Sequence, residues 1–190
     1  MEKIVNYWSE KRTIEIVNLL KEFQDVFARD YKDLKGLVHE MGKMKIDIKP
    51  DAQPVMKGPY KLTHKYKYIV KKEIDNMLID GIIYPIDQLE WACPNAIQLK
   101  KHNPRKLRIY VNFWELNKVT LTDLFPTPYG HKILNEVAGH EWYSFMDEFS
   151  GYNQVPIAKE DQKKTTFIYE FGSFAYRVMA FGLKNAPAVF

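Results

Sequence analysis

Residues 142–155, "WYSFMDEFSGYNQV", end an aromatic and aliphatic run (Trp142, Tyr143, Phe145, Met146) in the acid pair Asp147-Glu148. The chain then turns at Ser150-Gly151 and presents Tyr152. The pattern predicts a buried strand with a carboxylate at its mouth. Such a carboxylate can cap the following turn, or, fixed on a rigid element, hold a hard divalent cation that prefers oxygen ligands. Residue type alone leaves both readings open. A second cluster lies at 99–108, "LKKHNPRKLR", where Lys100, Lys101, Arg105, Lys106 and Arg108 gather without an acid. Like charges this close repel by a few tenths of a kcal/mol or more each unless an anion compensates. A triphosphate or a nucleic-acid backbone would compensate them; a solvated turn is the alternative. A third, at 60–72, "YKLTHKYKYIVKK", interleaves lysines with tyrosines. Cations with stacking rings suit nucleic acid, but Tyr66 also belongs to a core stripe, so a solvated helix face is the better explanation of the lysines.

Little other chemistry competes. His39, His64, His102, His131 and His140 lack ligand spacing. There is no Gly-rich phosphate loop and no Gly-x-Ser-x-Gly nucleophile elbow. The single Cys93 allows neither an internal disulfide nor a thiolate cluster, which suits a reducing, intracellular setting.

The elements that must position these groups follow from periodicity. Residues 9–28 predict an amphipathic helix capped by Ser9, with Ile16, Leu20, Phe23 and Phe27 on one face. Residues 43–49, "KMKIDIK", alternate strictly and predict an extended segment with one face covered. The Pro-rich 50–59 reads as a connector. Residues 63–80 predict a helix capped by Thr63, striped by Tyr66, Ile69/Val70, Ile74 and Met77/Leu78, and closed by Gly81. Strands are expected at 95–101 and 106–113 around "HNPR", and a short helix at 131–140. A hairpin is expected over 165–179, with Gly172 leading its two-residue loop. Hairpins and helices without a βαβ cadence predict an α+β fold.

The 190 residues are 46% hydrophobic and 27% charged, so a sizeable core can form, and the net charge of +4 permits a polyanionic partner without requiring one. No apolar run of about 18 residues occurs, and the N-terminus lacks a signal-peptide core, so no membrane role is expected. The sequence stops at "NAPAVF" inside what reads as an opening helix, as a piece of a longer reading frame would.

The order of "LKKHNPRKLRIYVNFWELNKVT", "LFPTP", "VAGHEWYSFMDEFSGYNQVPIAKEDQKKTTF" and "FGSFAYRVMAFGLKNAPAVF" resembles the fingers and first palm segments of reverse transcriptases. Within them the sequence resembles the polyproteins of gypsy-type LTR retrotransposons, whose lead-in between protease and polymerase is similar to "YKDLKGLVHEMGKMKIDIKPDAQPVMKGPYKL". The resemblance covers roughly residues 20–190. It implies a right-hand polymerase fragment with mixed hairpins and helices and an incomplete palm sheet: a helical lead-in over 1–42, then fingers and partial palm over 43–190. The implied activity is RNA-directed DNA polymerisation, nucleotidyl transfer from dNTPs on an RNA or DNA template-primer, using two Mg²⁺ (or Mn²⁺) ions in the complete enzyme.

By the same resemblance, Asp147 aligns with the first metal-binding aspartate and the Glu148 carbonyl would aid the same ion. Tyr152 aligns with the ring beneath the incoming deoxyribose, where a ribose 2′-hydroxyl would collide. Arg108, with Lys100 or Lys101, aligns with the fingers cations that grip the triphosphate. Phe181 stands at a nucleotide-pocket position, and Asn185 and Pro187 lie in the segment that runs along template and primer. The implied partners include the rest of the polyprotein: the palm hairpin Tyr-x-Asp-Asp, thumb and ribonuclease H. The implied location is cytoplasmic or in a virus-like particle, with possible nuclear import.

Three positions depart from the pattern. Asn112 replaces an acid, Trp114 replaces an arginine, and Ala180 stands where proline is usual. The Tyr-x-Asp-Asp pattern does not occur in these residues, so the chain is not expected to polymerise by itself. A non-catalytic nucleic-acid-binding or degenerate remnant of a retroelement polymerase is the alternative. A third reading is that the fragment is not a stable fold alone, since an unpaired sheet edge would be exposed.

Overall fold

The computed structural model describes residues 8–34, 36–37, 42–59, 61–100, 103–127, 129–141, 143–145 and 147–190, with only the backbone described at 98–100 and 103–108. The chain divides into two compact units, residues 1–34 and 35–190.

In the first unit, helix α1 (Glu10–Glu22) starts where predicted: the Ser9 hydroxyl accepts from the Arg12 backbone N–H at 3.4 Å. It ends earlier than the expected residue 28, giving way at Phe23 to a 3-10 turn, Gln24–Val26. The expected apolar face is not covered, and Leu20, Phe23 and Phe27 are each 48% exposed. A second 3-10 turn (Tyr31–Asp33) is tied by the Asp33 carboxylate, which accepts from the Arg29 and Asp30 backbone N–H groups. Those bonds favour the charged form and hold its pKa below the usual value.

The second unit is organised around the alternating segment 43–49. Met44 and Ile46 are buried while Lys45 and Asp47 face out, as period two requires. The segment joins no named strand. It is held by single bridges, Met44 with Ile157 and Ile48 with Thr120. A buried polar clasp fixes its centre: the Ile46 N–H donates to Asp161 Oδ2 at 2.9 Å, and Lys164 Nζ donates to the Ile46 carbonyl at 2.7 Å. Lys164 also pairs with Asp161, in the short helix α5 (Lys159–Gln162).

Helix α2 (His64–Ile79) matches its predicted bounds. Thr63 is its N-cap residue, without a side-chain cap bond. Val70 and Ile74 form the buried stripe, and Gly81 at φ +71° provides the left-handed residue that ends it. Strand β1 (Ile83–Pro85) follows; its brevity and its proline gave the sequence reading no strand signal. Strands β2 (Asn95–Lys100) and β3 (Asn103–Val111) form the expected basic hairpin with a tighter connection. A short helix, α3 (Trp114–Val119), comes next, then α4 (Gly130–Val137).

Strands β4 (Phe167–Tyr169) and β5 (Gly172–Tyr176) pair antiparallel, and the three-stranded sheet runs β1-β5-β4. The hairpin corrects the expected register. The loop is Glu170-Phe171, and Gly172, at φ +137°, opens β5 instead of leading the turn. Packing explains the difference. In this register Phe167 lies opposite Phe174, their ring centroids 5.8 Å apart, with Tyr176 at 5.5 Å from Phe167. The same turn brings Glu170 to 2.6 Å from Lys67 of α2. The core gathers around these rings with Phe113, Cys93, Leu116 and Met179, all buried. No helix among the described residues is long and apolar enough to cross a membrane.

Candidate functional site

The turn that carries the acid pair is built from local hydrogen bonds. Ser150 adopts left-handed backbone (φ +52°), and residues Gly151–Gln154 form a 3-10 turn. Asn153 N–H donates to the Ser150 carbonyl at 2.9 Å. The Gln154 amide donates to Glu148 Oε1 at 3.1 Å and to the Phe149 carbonyl at 3.3 Å, so the Glu148 carboxylate is oriented along the turn. Asp147 is exposed and has no hydrogen-bond or ion-pair partner among the described residues.

The buried strand expected before Asp147 is not formed. Residues 143–145 and 147 have no strand backbone, and Phe145 is 94% exposed. The physical reason is pairing: an extended segment becomes a buried strand only when neighbours take up its backbone groups. No described strand lies beside this one. Trp142 and Met146 lie outside the described residues.

Tyr152 is brought to Phe181, with ring centroids 4.8 Å apart and an interplanar angle of 35°. Two residues singled out for one pocket are thus joined by the fold. The sequence reading missed a third ring, Phe190, 5.2 Å from Tyr152 at 68°. It also missed the role of Gly151, whose buried Cα faces that ring. The signal was the recurrence of aromatic residues at both ends of 181–190, which periodicity cannot connect to residue 152.

The segment 181–190 is fastened to 117–123. Asn117 donates from Nδ2 to the Gly182 carbonyl (2.8 Å) and accepts from the Lys184 N–H (2.9 Å). Asn185 donates to the Leu121 carbonyl (2.8 Å) and accepts from the Asp123 N–H (3.1 Å), and Lys184 Nζ donates to the Thr120 carbonyl (3.0 Å). Asn185 therefore has a structural duty in addition to the template contact its position suggested. It precedes helix α6 (Ala186–Val189), in which Pro187 sits at the second residue, where no backbone donor is needed.

On the basic hairpin, the register sets Arg108 opposite Gln98 and Lys100 opposite Asn103, with an irregularity between Leu99 and Lys100. Lys101 lies outside the described residues. The two departures at 112 and 114 have a plain structural outcome. Asn112 Oδ1 accepts from the Trp114 N–H at 3.0 Å at the start of α3, and the Trp114 ring is 66% exposed, with Lys118 Nζ at 5.5 Å. Neither side chain leaves a lone charge. Glu115 on the same helix bridges Lys57 (2.7 Å) and Lys118 (3.1 Å), and these bonds lower its pKa.

For a divalent cation, Asp147 offers one exposed carboxylate with the Glu148 carbonyl next in sequence. Among the described residues no three His, Cys, Asp or Glu side chains converge as a metal site. A pair of ions about 3.5–4 Å apart needs bridging carboxylates from more than one position, so the residues present do not by themselves fit such a pair.

Comparison with known proteins bears on this geometry. Residues 99–190 match the family model described as reverse transcriptase (RNA-dependent DNA polymerase). The chain is 33% identical over 183 residues to the retrovirus-related Pol polyprotein from transposon opus of Drosophila melanogaster, covering 94% of this chain and 18% of that protein. It is 31% identical over 145 residues to the Pol polyprotein from transposon gypsy of the same species, covering 74% and 14%. It is 43% identical over 84 residues to an RNA-directed DNA polymerase homolog of Oenothera berteroana, covering 44% and 59%. The chain thus spans less than a fifth of the length of these polyproteins. A crystal structure of prototype foamy virus protease-reverse transcriptase superposes with a TM-score of 0.82 at 18% identity, over 97% of this chain and 24% of that one. The foamy viral protein in complex with dsDNA gives 0.81 at 18% identity, over 97% and 37%. At that identity the likeness establishes a shared fold.

Proposed function

Because this chain carries the reverse transcriptase region of an LTR-retrotransposon polyprotein, we propose that it supplies the fingers and first palm elements of an RNA-directed DNA polymerase. The observation that carries the reading is the contact of Tyr152 with Phe181, which joins the two motif segments given nucleotide roles. In this reading Tyr152 forms the floor under the deoxyribose, and its ring excludes a 2′-hydroxyl. Arg108 offers a planar fork to the β- and γ-phosphates, with Lys100 or Lys101 as a point charge beside it. Asp147 and the Glu148 carbonyl would supply two oxygens to a divalent cation whose other ligands lie outside these residues; such an ion would acidify the primer 3′-hydroxyl and stabilise charge on the phosphates. The exposure of Asp147 leaves its oxygens free to take ligands. The substrates are a dNTP and an RNA or DNA template-primer. Solved relatives in complex with dsDNA and with an RNA/DNA hybrid support nucleic acid as the partner class.

The remaining carboxylates come from elsewhere in the polyprotein, so these residues alone do not polymerise. Primer extension tests both halves of the reading. The isolated chain gives no metal-dependent incorporation. In the complete polymerase, Asp147→Asn abolishes turnover while template-primer binding stays near wild type, and Tyr152→Val admits ribonucleotides. Unchanged turnover in the Asp147 variant would remove Asp147 from the chemistry. A non-catalytic remnant is the second reading, favoured by the departures at Asn112, Trp114 and Ala180. It predicts that the parent reading frame lacks a Tyr-x-Asp-Asp hairpin downstream of Phe190.

A further inference from the structure

Tyr152 is held from two sides by a single segment. Phe181, just before α6, lies 4.8 Å from its ring centroid, and Phe190, just after α6, meets it edge-on at 5.2 Å. Phe190 reaches that position only because residue 151 has no side chain. A Cβ there would lie 2.7 Å from Phe190 Cζ, 2.9 Å from Cε2, and 3.1 Å from Glu148 Cδ. Contacts below about 3.0 Å do not survive in packed interiors, so any larger residue at 151 must move the ring or the turn.

The turn has little freedom to move. Ser150 already holds a left-handed backbone (φ +52°), and Gln154 ties the Glu148 side chain and the Phe149 carbonyl. On the other side the backbone is fastened: the Phe190 N–H donates to the Ala186 carbonyl at 3.1 Å, and Asn117 and Asn185 tie residues 182–185 to 117–123. Ordinary burial explains Phe190 poorly, because its side chain remains 56% exposed. Its well-defined feature is a T-shaped contact with Tyr152 and the approach of its Cζ and Cε2 atoms to Gly151.

We propose that Phe190 is a positioning residue that sets the plane of the Tyr152 ring, with Gly151 bare so that it can reach. The sugar selectivity assigned to Tyr152 is thereby governed from α6. The inference rests on the role given to Tyr152 above, and the experiments separate the two. The first uses the chain alone, without activity. Gly151→Ala lowers the thermal midpoint by about 2–4 °C in the wild-type background, and by much less when Phe190 is Ala, because the collision has been removed. Equal shifts in both backgrounds would overturn the contact, and the proposal with it.

The second measures the ratio of dNTP to rNTP incorporation efficiency in the complete polymerase. Phe190→Leu keeps apolar bulk but loses the flat edge, and it lowers the ratio about 10-fold; Gly151→Ala moves it in the same direction. A purely structural role would reduce both substrates together and leave the ratio alone. If Tyr152→Val relaxes selectivity while Phe190→Leu retains the wild-type ratio, the positioning role is refuted and the reading of Tyr152 stands. If Tyr152→Val itself leaves the ratio unchanged, the reading beneath fails and takes this inference with it.

Discussion

Asn185 and Asn117 each use both amide atoms to satisfy backbone groups of a neighbouring segment. Removing such a side chain strands two backbone groups at once, and Asn185 itself is only 9% exposed. Asn185→Ala should therefore cost about 1–3 kcal/mol, read as a lower midpoint in denaturant at unchanged slope; a midpoint within error of wild type would show that water replaces the amide. Cys93 makes a different prediction at the same scale. Burial pushes its thiol up to about 12, which makes it inert to alkylation near neutrality. The folded state holds the proton more tightly than the unfolded chain, so the associated stability is complete below pH 9 and is lost as pH rises toward 12. Tyr169 and Tyr176, also raised by burial, act in the same direction. Stability should fall above pH 9, and Cys93→Ala should flatten part of that fall; an identical pH profile for the variant would assign the loss to the tyrosines alone.

Among the elements, the strap 43–49 shows what sequence can and cannot reveal. Its alternation was legible, because Met44 and Ile46 had to face inward on any fold that covered one side. Its clasp was not, since Asp161 and Lys164 lie far along the chain and read as ordinary members of a charged run. Asp161→Ala leaves the Ile46 N–H without its acceptor and the Lys164 ammonium, 20% exposed, with the Ile46 carbonyl but no carboxylate partner, at a cost of about 3 kcal/mol. Pairing it with Lys164→Met should recover part of that loss, and a strictly additive double variant would mean that the two residues act independently. Helix α2 was legible to within a residue because its stripe, its N-terminal Thr63 and its terminal Gly81 agree. The β4–β5 hairpin was displaced because a glycine near a turn was taken as the turn itself, whereas ring packing of Phe167 on Phe174 chose the register. The roles proposed for Asp147, Tyr152 and Phe181 come from motif order, to which the fold adds the contact of Tyr152 with Phe181. Phe190 and Gly151 could not, since their contact is made only by the folded backbone.

At the scale of the whole molecule, the segments that precede the acid pair expose several apolar side chains. Helix α4 has no buried residue, and Leu124 (89%), Phe125 (66%), Leu134 (63%) and Phe145 (94%) all face solvent. The strand expected at 142–147 belongs to the same stretch, and residues 143–145 and 147 pair with no described strand. Apolar side chains exposed in such numbers along one stretch of chain promote self-association where they merge into a patch. The 190-residue chain should therefore fold around the Phe167 cluster yet associate through this region. Because those side chains are already in water, replacing them changes solubility without touching the core. A double variant, Ile133→Glu with Leu134→Lys, keeps helix-forming residues on α4, so it should hold the thermal midpoint within about 2 °C while raising the concentration at which light scattering begins. If the midpoint falls steeply instead, α4 is packed in solution and its apolar face is not the source of association.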